Sequence, residues 1–467
     1  MQPVNKLPPE VLSRIAGCVL DEDAYDARSI VPLTHVCQYW RGSIISAPEN
    51  WTLISDDREE LATLSLERAK AARLQINCRM YQATTSSNVP NIFIPHFHNT
   101  ESLIGHSILT FEKFARMVPN FPQSMPNLRS LTLTLDDLEG WNPPTDPFES
   151  IAHGLEELSL FGIPLSPSLL KLRALTHLTL HDRGFNLPLD TLLDFLEGNH
   201  LLKSADLWIG FVEPSHRLSR RHPAIGNQLR LLRITCNYVI DAKALVSTIA
   251  LSKGTELEVN YRGYYNARVG VTDVLSGIST THLSNLPSPT SMKYYTGTTR
   301  RIQLLGPNGR ATFTSDSDSN IPFVEFPRLP LTNVRRFHLD TLGWQVTRPP
   351  PGPRVFHHLS SFPTLETFSL KNETDLSRLL SPLLSNPSSS PSLETLAFLD
   401  CDLSKDFMEE LTRFASDRKN TTSAWLNQIL IVNQEGNFPS ANSIYRLRCA
   451  VKVVDIRMDS KLPTDLT

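Results

Sequence analysis

Cysteine is scarce in this chain: six among 467 residues, at positions 18, 37, 78, 236, 401 and 449, and no two of them stand in a C-x-x-C pair. That spacing indicates neither a zinc cluster nor a disulfide framework, and it suits a reducing compartment. A long apolar run is also missing, since nothing approaches the roughly 18 residues needed to cross a bilayer. The N-terminus, Met1-Gln2-Pro3-Val4-Asn5-Lys6, lacks the apolar core of a signal peptide. The expected location is therefore cytoplasmic or nuclear, with no membrane contact. On that expectation the N-x-S/T matches at Asn50, Asn372 and Asn420 are chance matches. An excess of one charge is missing as well. With 45 basic and 48 acidic residues the net charge is −3, and the Arg pairs at 220–221, 300–301 and 335–336 are isolated, so no bulk attraction to nucleic acid is expected.

Catalytic signatures are equally sparse. There is no G-x-S-x-G, G-x-x-x-x-G-K-S/T, G-x-G-x-x-G or H-E-x-x-H, and the local histidine groups, His96-Phe97-His98 and His357-His358, lack metal-ligand spacing. No enzyme activity, metal or cofactor is expected.

What is present begins at residue 7. Leu7-Pro8-Pro9 opens a helix in which Leu12, Ile15, Ala16 and Val19 recur at helical spacing, and Pro32 opens a second whose Leu33, Val36, Cys37 and Trp40 fall three and four apart. A segment of about fifty residues holds little core of its own, so these stripes need a partner or the rest of the chain. The ordered phrases Leu7-Pro8-Pro9-Glu10-Val11-Leu12, Val36-Cys37-Gln38-Tyr39-Trp40-Arg41 and Pro48-Glu49-Asn50-Trp51 resemble the F-box of ubiquitin-ligase substrate receptors. They are most similar to the expanded F-box families of basidiomycete fungi, which Leu66-Glu67-Arg68-Ala69-Lys70 also fits. The resemblance covers about the first seventy-five residues. The acidic stretch Asp21-Glu22-Asp23-Ala24-Tyr25-Asp26 is longer than the loop of the shortest F-boxes. The resemblance implies a surface that grips a Skp-family adaptor and through it a cullin, with Leu7, Pro8, Leu12, Ile15, Val36, Cys37 and Trp40 as the contacts.

Downstream, residues 57–73 read as a helix, and residues 80–125 are irregular, with a short helix suggested at 111–117. From residue 126 the pattern L-x-x-L-x-L recurs, starting at 128, 155, 175, 202 and 229, intervals of 27, 20, 27 and 27. Further copies start at 334, 365, 393, 426 and 451. Helical patterns lie between them at 190–197, 242–251, 376–384 and 406–414. One strand with inward Leu cannot bury that face alone, whereas stacked copies share a continuous core. The expected fold is thus a small helical F-box at 1–56, a linking helix and irregular first repeats at 57–125, and a curved α/β leucine-rich-repeat-like solenoid with a parallel inner sheet at 126–460. An insertion at about 260–325 holds a hairpin of 301–305 with 311–314 and a polar loop at 315–320. Pro349-Pro350-Pro351-Gly352-Pro353 reads as a spacer. The competing reading is an α/β sandwich with coincidental Leu spacing.

In the repeat frame, the positions between and after the last two Leu share the face opposite the Leu core. On it Phe161, His181, Asp206, Trp208 and Arg233 are the candidate target contacts, because exposed aromatics and Arg dominate binding hot spots. Helices or the insertion covering them is the plainer alternative. Two functions follow: a non-catalytic substrate receptor that holds an unknown protein target, or a repeat scaffold whose N-terminal segment is only a structural cap.

Overall fold

The computed structural model of the chain describes residues 7–22, 27–55, 58–79, 92–106, 125–135, 146, 148–149, 154–163, 165–181, 189–209, 228–236, 245, 254–261, 291–295, 300–306, 309–315, 333–340, 362–373, 376–386, 390–421, 425–433 and 438–458. It is a mixed α/β protein in two compact units, Met1–Leu187 with Thr191–Ile209, and Pro188–Asp190 with Gly210–Thr467. No described helix is long and apolar enough to cross a membrane.

The first unit starts with helix α1 (Pro9–Glu22), whose leading proline costs no intrahelical bond; the amides of Val11 and Leu12 turn back to the Pro8 carbonyl at 3.0 and 3.2 Å. The second helical stretch is not the continuous helix expected from Pro32. A 3₁₀ turn at Pro32–His35 gives way to extended backbone at Cys37 (φ −161°, ψ 171°), and α2 (Gln38–Ser46) begins after it. The reason is local capping. The Cys37 sulfur accepts the Trp40 amide at 3.5 Å, so Cys37 ends one element and starts the next. A 3₁₀ turn, Pro48–Trp51, then leads to the three-residue strand β1 (Leu53–Ser55) and helix α3 (Glu59–Ala69), which lies within the expected 57–73.

The sheet of this unit runs in chain order and is parallel throughout: β1, β2 (Leu74–Arg79), β3 (Thr100–His106), β4 (Ser130–Thr134), β5 (Glu157–Phe161), β6 (His177–His181) and β7 (Ser204–Ile209). Helix α4 (Leu189–Gly198) precedes β7. Along β4, β5 and β6 burial alternates strictly, with Leu131, Leu133, Leu158, Leu160, Leu178 and Leu180 inward. Each contributes about 1.5–3 kcal/mol of apolar burial, but only because the neighbouring strand supplies the other wall.

The second unit has the strand order β8 (Leu231–Cys236), β9 (Glu256–Tyr261), β12 (Gly309–Ser315), β11 (Arg300–Gly306), β10 (Ser291–Tyr295), β13 (Arg336–Asp340), β14 (Thr367–Lys371), β15 (Thr395–Leu399), β16 (Gln428–Val432) and β17 (Val453–Arg457). All run parallel except β11. The expected hairpin forms, pairing Ile302 with Phe313 and closing at Gly306 and Gly309. It is not an excursion from the sheet, however: with β10 it supplies three consecutive strands between β9 and β13. Helices α5 (Leu376–Ser385), α6 (Lys405–Thr421) and α7 (Ala441–Ala450) alternate with the last strands. The first matches its expected span, and α6 runs further than 406–414. Leu245 is the one described residue of the helix expected at 242–251. The helix at 111–117, the loop at 316–320 and the proline run at 349–353 lie outside the described residues.

Two recurrent devices stack the repeats. At the exit of a strand the next amide bonds across to the neighbour's last carbonyl: Leu135 to Phe161, Gly162 to His181, Asn372 to Leu399 and Asp400 to Val432, at 2.7–2.9 Å. At this exit Gly162, Asn372 and Asp400 take positive φ (70°, 60° and 50°), a backbone conformation that Gly, Asn and Asp tolerate. At the entry, charges of alternating sign face one another. Arg73 meets Glu101 at 3.1 Å, Glu101 meets Arg129 at 3.7 Å, and Arg129 pairs with Glu156. These exposed pairs contribute little individually, of order 0–1 kcal/mol, but each matches one repeat to the next.

Candidate functional site

The N-terminal helices divide their apolar residues between an interior and a surface. Leu12, Ala16 and Ile44 are fully buried, and Trp51 is buried with its indole N–H donating to the Ile44 carbonyl at 3.0 Å. The Asn50 side-chain amide reaches the same carbonyl at 3.3 Å, so two side chains satisfy an acceptor near the end of α2. Ser13 on α1 donates to Asn50 Oδ1 at 2.9 Å and to Glu49 Oε1 at 3.1 Å. Arg68 of α3 lays its guanidinium 4.2 Å from the centre of the Trp51 ring. Asn50 is thus a structural residue despite its N-x-T context.

This packing redistributes the expected adaptor contacts. Leu12 is 0% exposed and Trp40 9%, so both serve the interior of the chain itself; the Trp40 indole N–H meets no acceptor among the described residues. Leu7, Ile15 and Cys37 are half-buried, while Pro8 is exposed. Among the large apolar residues described in 7–55, the most exposed are Val36 (54%), Val11 and Tyr39 (38% each). Tyr39 also donates its hydroxyl to the Leu7 carbonyl at 2.7 Å, holding the start of the described chain against α2. Sequence spacing missed Tyr39 because it assumed one continuous helix from Pro32. The break at Cys37 turns Val36 and Tyr39 outward and Trp40 inward.

On the sheet of the same unit, Phe161, His181 and Trp208 occupy one register across β5, β6 and β7. Their rings meet edge to face, with centroids 4.4 Å apart for Phe161 and His181 and 5.3 Å for His181 and Trp208. The adjacent row is Thr132, Ser159, Thr179 and Asp206, again one residue per strand. Asp206 Oδ1 lies 3.9 Å from His181 Nε2, and both side chains are 23% exposed. Four of the five expected target contacts therefore form one cluster. The fifth, Arg233, stands on β8 in the second unit, where its Nε donates to Glu258 Oε2 at 2.7 Å.

The face differs along the chain. At β1–β3 the row that leads to Asp206 is closed, with Ser55, Asn77 and Ile104 buried, and it is half-open from β4 to β7. In the second unit β13–β16 are buried on both faces: Ala397, Leu399, Leu430 and Val432 form an apolar cluster on the face opposite the repeat leucines, and His338 bonds to Ser369 at 2.8 Å.

Among the described residues no group of three or more His, Cys, Asp or Glu is arranged to hold a metal. Burial pushes the Cys401 thiol up to about 12, with the nearby Glu373 and Asp400 carboxylates adding to the rise, which disfavours the thiolate. His96, in the 3₁₀ turn Ile94–Asn99, is held below its ordinary pKa by burial and then by the nearby His98.

No protein-family model matches this chain, and no curated protein matches it. Assignment of function thus rests on where the residues stand.

Proposed function

We propose that the chain is a substrate-recognition subunit of a Skp–cullin–F-box ubiquitin ligase, in which the N-terminal helices are an F-box that docks on a Skp-family adaptor. The stacked strands are a leucine-rich-repeat-like solenoid that holds a protein target. The protein does no covalent chemistry; it brings its target beside a charged conjugating enzyme. The observation that carries this reading is the division of labour in the first fifty residues. Leu12, Ala16, Ile44 and Trp51 complete an interior, yet Pro8, Val11, Val36 and Tyr39 keep apolar surface exposed on a small module. A module used only as a cap would turn that surface inward.

The cap reading draws on a different observation, since β1 pairs with β2 and Arg68 covers Trp51, so the helices are built into the first repeat. Point changes on the exposed face separate the two. Val36→Asp and Tyr39→Asp are expected to leave folding intact and to lose at least about 2 kcal/mol of adaptor binding, the range of interface hot spots. The check is copurification of the intact chain with a Skp-family adaptor, alongside thermal unfolding. Failure of the unaltered chain to bind, or equal binding by both folded variants, refutes the receptor reading.

A further inference from the structure

The repeat stack of the second unit ends on β17, which pairs with β16 and with no further described strand. In the L-x-x-L-x-L frame its inward residues are Val454 and Ile456. Their counterparts one strand earlier, Ile429 and Ile431, are 0% exposed, whereas Val454 rises to 9% and Ile456 is only half-buried, with Val453 (51%) and Met458 (77%) open beside them. A terminal strand lacks the second wall that a following repeat supplies. Its backbone is open in a defined pattern. The Val453 amide donates to the Asn427 carbonyl at 3.0 Å, and the Arg457 carbonyl accepts the Asn433 amide at 3.3 Å, so Val453, Asp455 and Arg457 turn their backbone groups toward β16. In a parallel ladder the intervening residues, Val454 and Ile456, and Met458 after them, turn theirs to the far side.

We propose that this edge is a homodimer interface, at which a second copy of the chain adds its own β17, antiparallel, about a two-fold axis at Ile456. Charge selects that register. Pairing two identical edges must set outward-turned residues opposite one another, which puts the axis on a residue and not between two. An axis at Asp455 opposes two aspartates, one at Arg457 opposes two arginines, and one at Val454 faces Asp455 with Val453. Of the axes that lie within β17, only that at Ile456 places Asp455 opposite the second copy's Arg457, and does so twice. Within each copy Arg457 donates to Asp455 Oδ2 from Nε at 2.9 Å and from Nη2 at 2.6 Å, with both side chains partly exposed, so pairing completes a ring of alternating charge. Residues opposed in this way, between the hydrogen-bonded pairs, have Cα atoms about 4.5 Å apart, within reach of both side chains. On the other face Ile456 meets its own copy and Val454 meets Met458, which covers the open end of the core. Charge on an edge strand commonly discourages pairing, but opposite charges two residues apart about an apolar centre are self-complementary.

The edge is independent of the receptor reading and is tested without an adaptor. Sedimentation velocity of the intact chain across a dilution series is expected to show a monomer–dimer equilibrium that stops at two copies and weakens with salt, while hydrogen exchange at residues 452–458 slows as the dimer fills. Asp455→Arg and Arg457→Asp should each weaken the dimer by at least about tenfold, because two attractive pairs become repulsive. The two variants mixed should associate with each other, and the double variant should dimerise again; neither recovery is open to a chain that has lost its fold. An unaltered chain that stays monomeric, single variants that dimerise as it does, a mixture that stays monomeric, or open-ended assemblies overturn the proposal. So does slow exchange at 452–458 in a monomer that becomes fast when residues 459–467 are removed, since the chain would then cover its own edge.

Discussion

Arg418 shows how much a single position can depend on its surroundings. It stands in the last turn of α6, beyond the expected 406–414, and its side chain is fully buried. Its Nη2 donates to the carbonyls of Pro391 at 3.0 Å and Leu393 at 2.8 Å, fixing the loop that enters β15. Burial disfavours its charge and lowers its pKa, so the position is held by hydrogen bonds to carbonyls that would otherwise be orphaned. Arg418→Ala is expected to destabilise the protein by about 2–4 kcal/mol, combining lost packing with two unsatisfied carbonyls, as read from urea unfolding. A change below about 0.5 kcal/mol would show that water replaces the guanidinium without cost. His96 makes the converse point about acidity. Its pKa is lowered in the fold, so the folded state resists protonation. Its contribution is present above the unfolded value of 6.5 and is lost as pH falls from there through the lowered folded value.

At the scale of elements, the repeat corner is legible residue by residue. Gly162, Asn372 and Asp400 each follow a strand and each adopt positive φ, so the sequence marks the exit of the strand with the residue types that tolerate it. Asp400→Val should cost about 1–2 kcal/mol through the left-handed backbone, whereas Asp400→Gly should stay within about 0.5 kcal/mol. Paired urea titrations check this, and equal cost for both variants would place the cause in the Asp400 side chain instead. The L-x-x-L-x-L spacing located all ten expected strands, from β4 to β8 and from β13 to β17, because alternation of Leu with polar residues depends only on the chain's own pleat. No sequence pattern marked β1, β3, β9 or β10. Leu53-Ile54-Ser55 is too short to show a period, and Thr100–His106 has only Leu103 and Ile104 as apolar anchors beside Gly105. At Gly105 an added Cβ would lie 2.9 Å from Leu133, so glycine there reflects close approach to β4.

For the first unit as a whole, a boundary at residue 56 is not a seam. β1 lies on the sequence side of the helices but pairs with β2 residue by residue, from Leu53 with Gln75 to Ser55 with Asn77. Removing residues 1–56 strips that strand and leaves the β2 edge and the packing face of α3 uncovered, including Ala62, Leu66 and Ala69. The truncated chain is expected to aggregate by light scattering whether or not the helices bind an adaptor. A monodisperse truncated chain would show that the array closes on itself without them. Deletion therefore cannot distinguish receptor from cap, which is why the point changes at Val36 and Tyr39 carry that test.

The sequence by itself determined where the ten strands of the L-x-x-L-x-L pattern form, since pleat and turn chemistry act within a few residues. It also placed Phe161, His181, Asp206 and Trp208 on one face, because a constant repeat spacing fixes register. Only the tertiary structure decided that Cys37 caps a new helix and turns Trp40 inward, and that β10–β12 enter the sheet between β9 and β13. It alone gave Arg233 its Glu258 partner within the second unit and closed both faces of β13–β16. Apart from the local Cys37 cap, each of these depends on contacts between residues far apart in the chain, whose energies no local pattern of spacing contains.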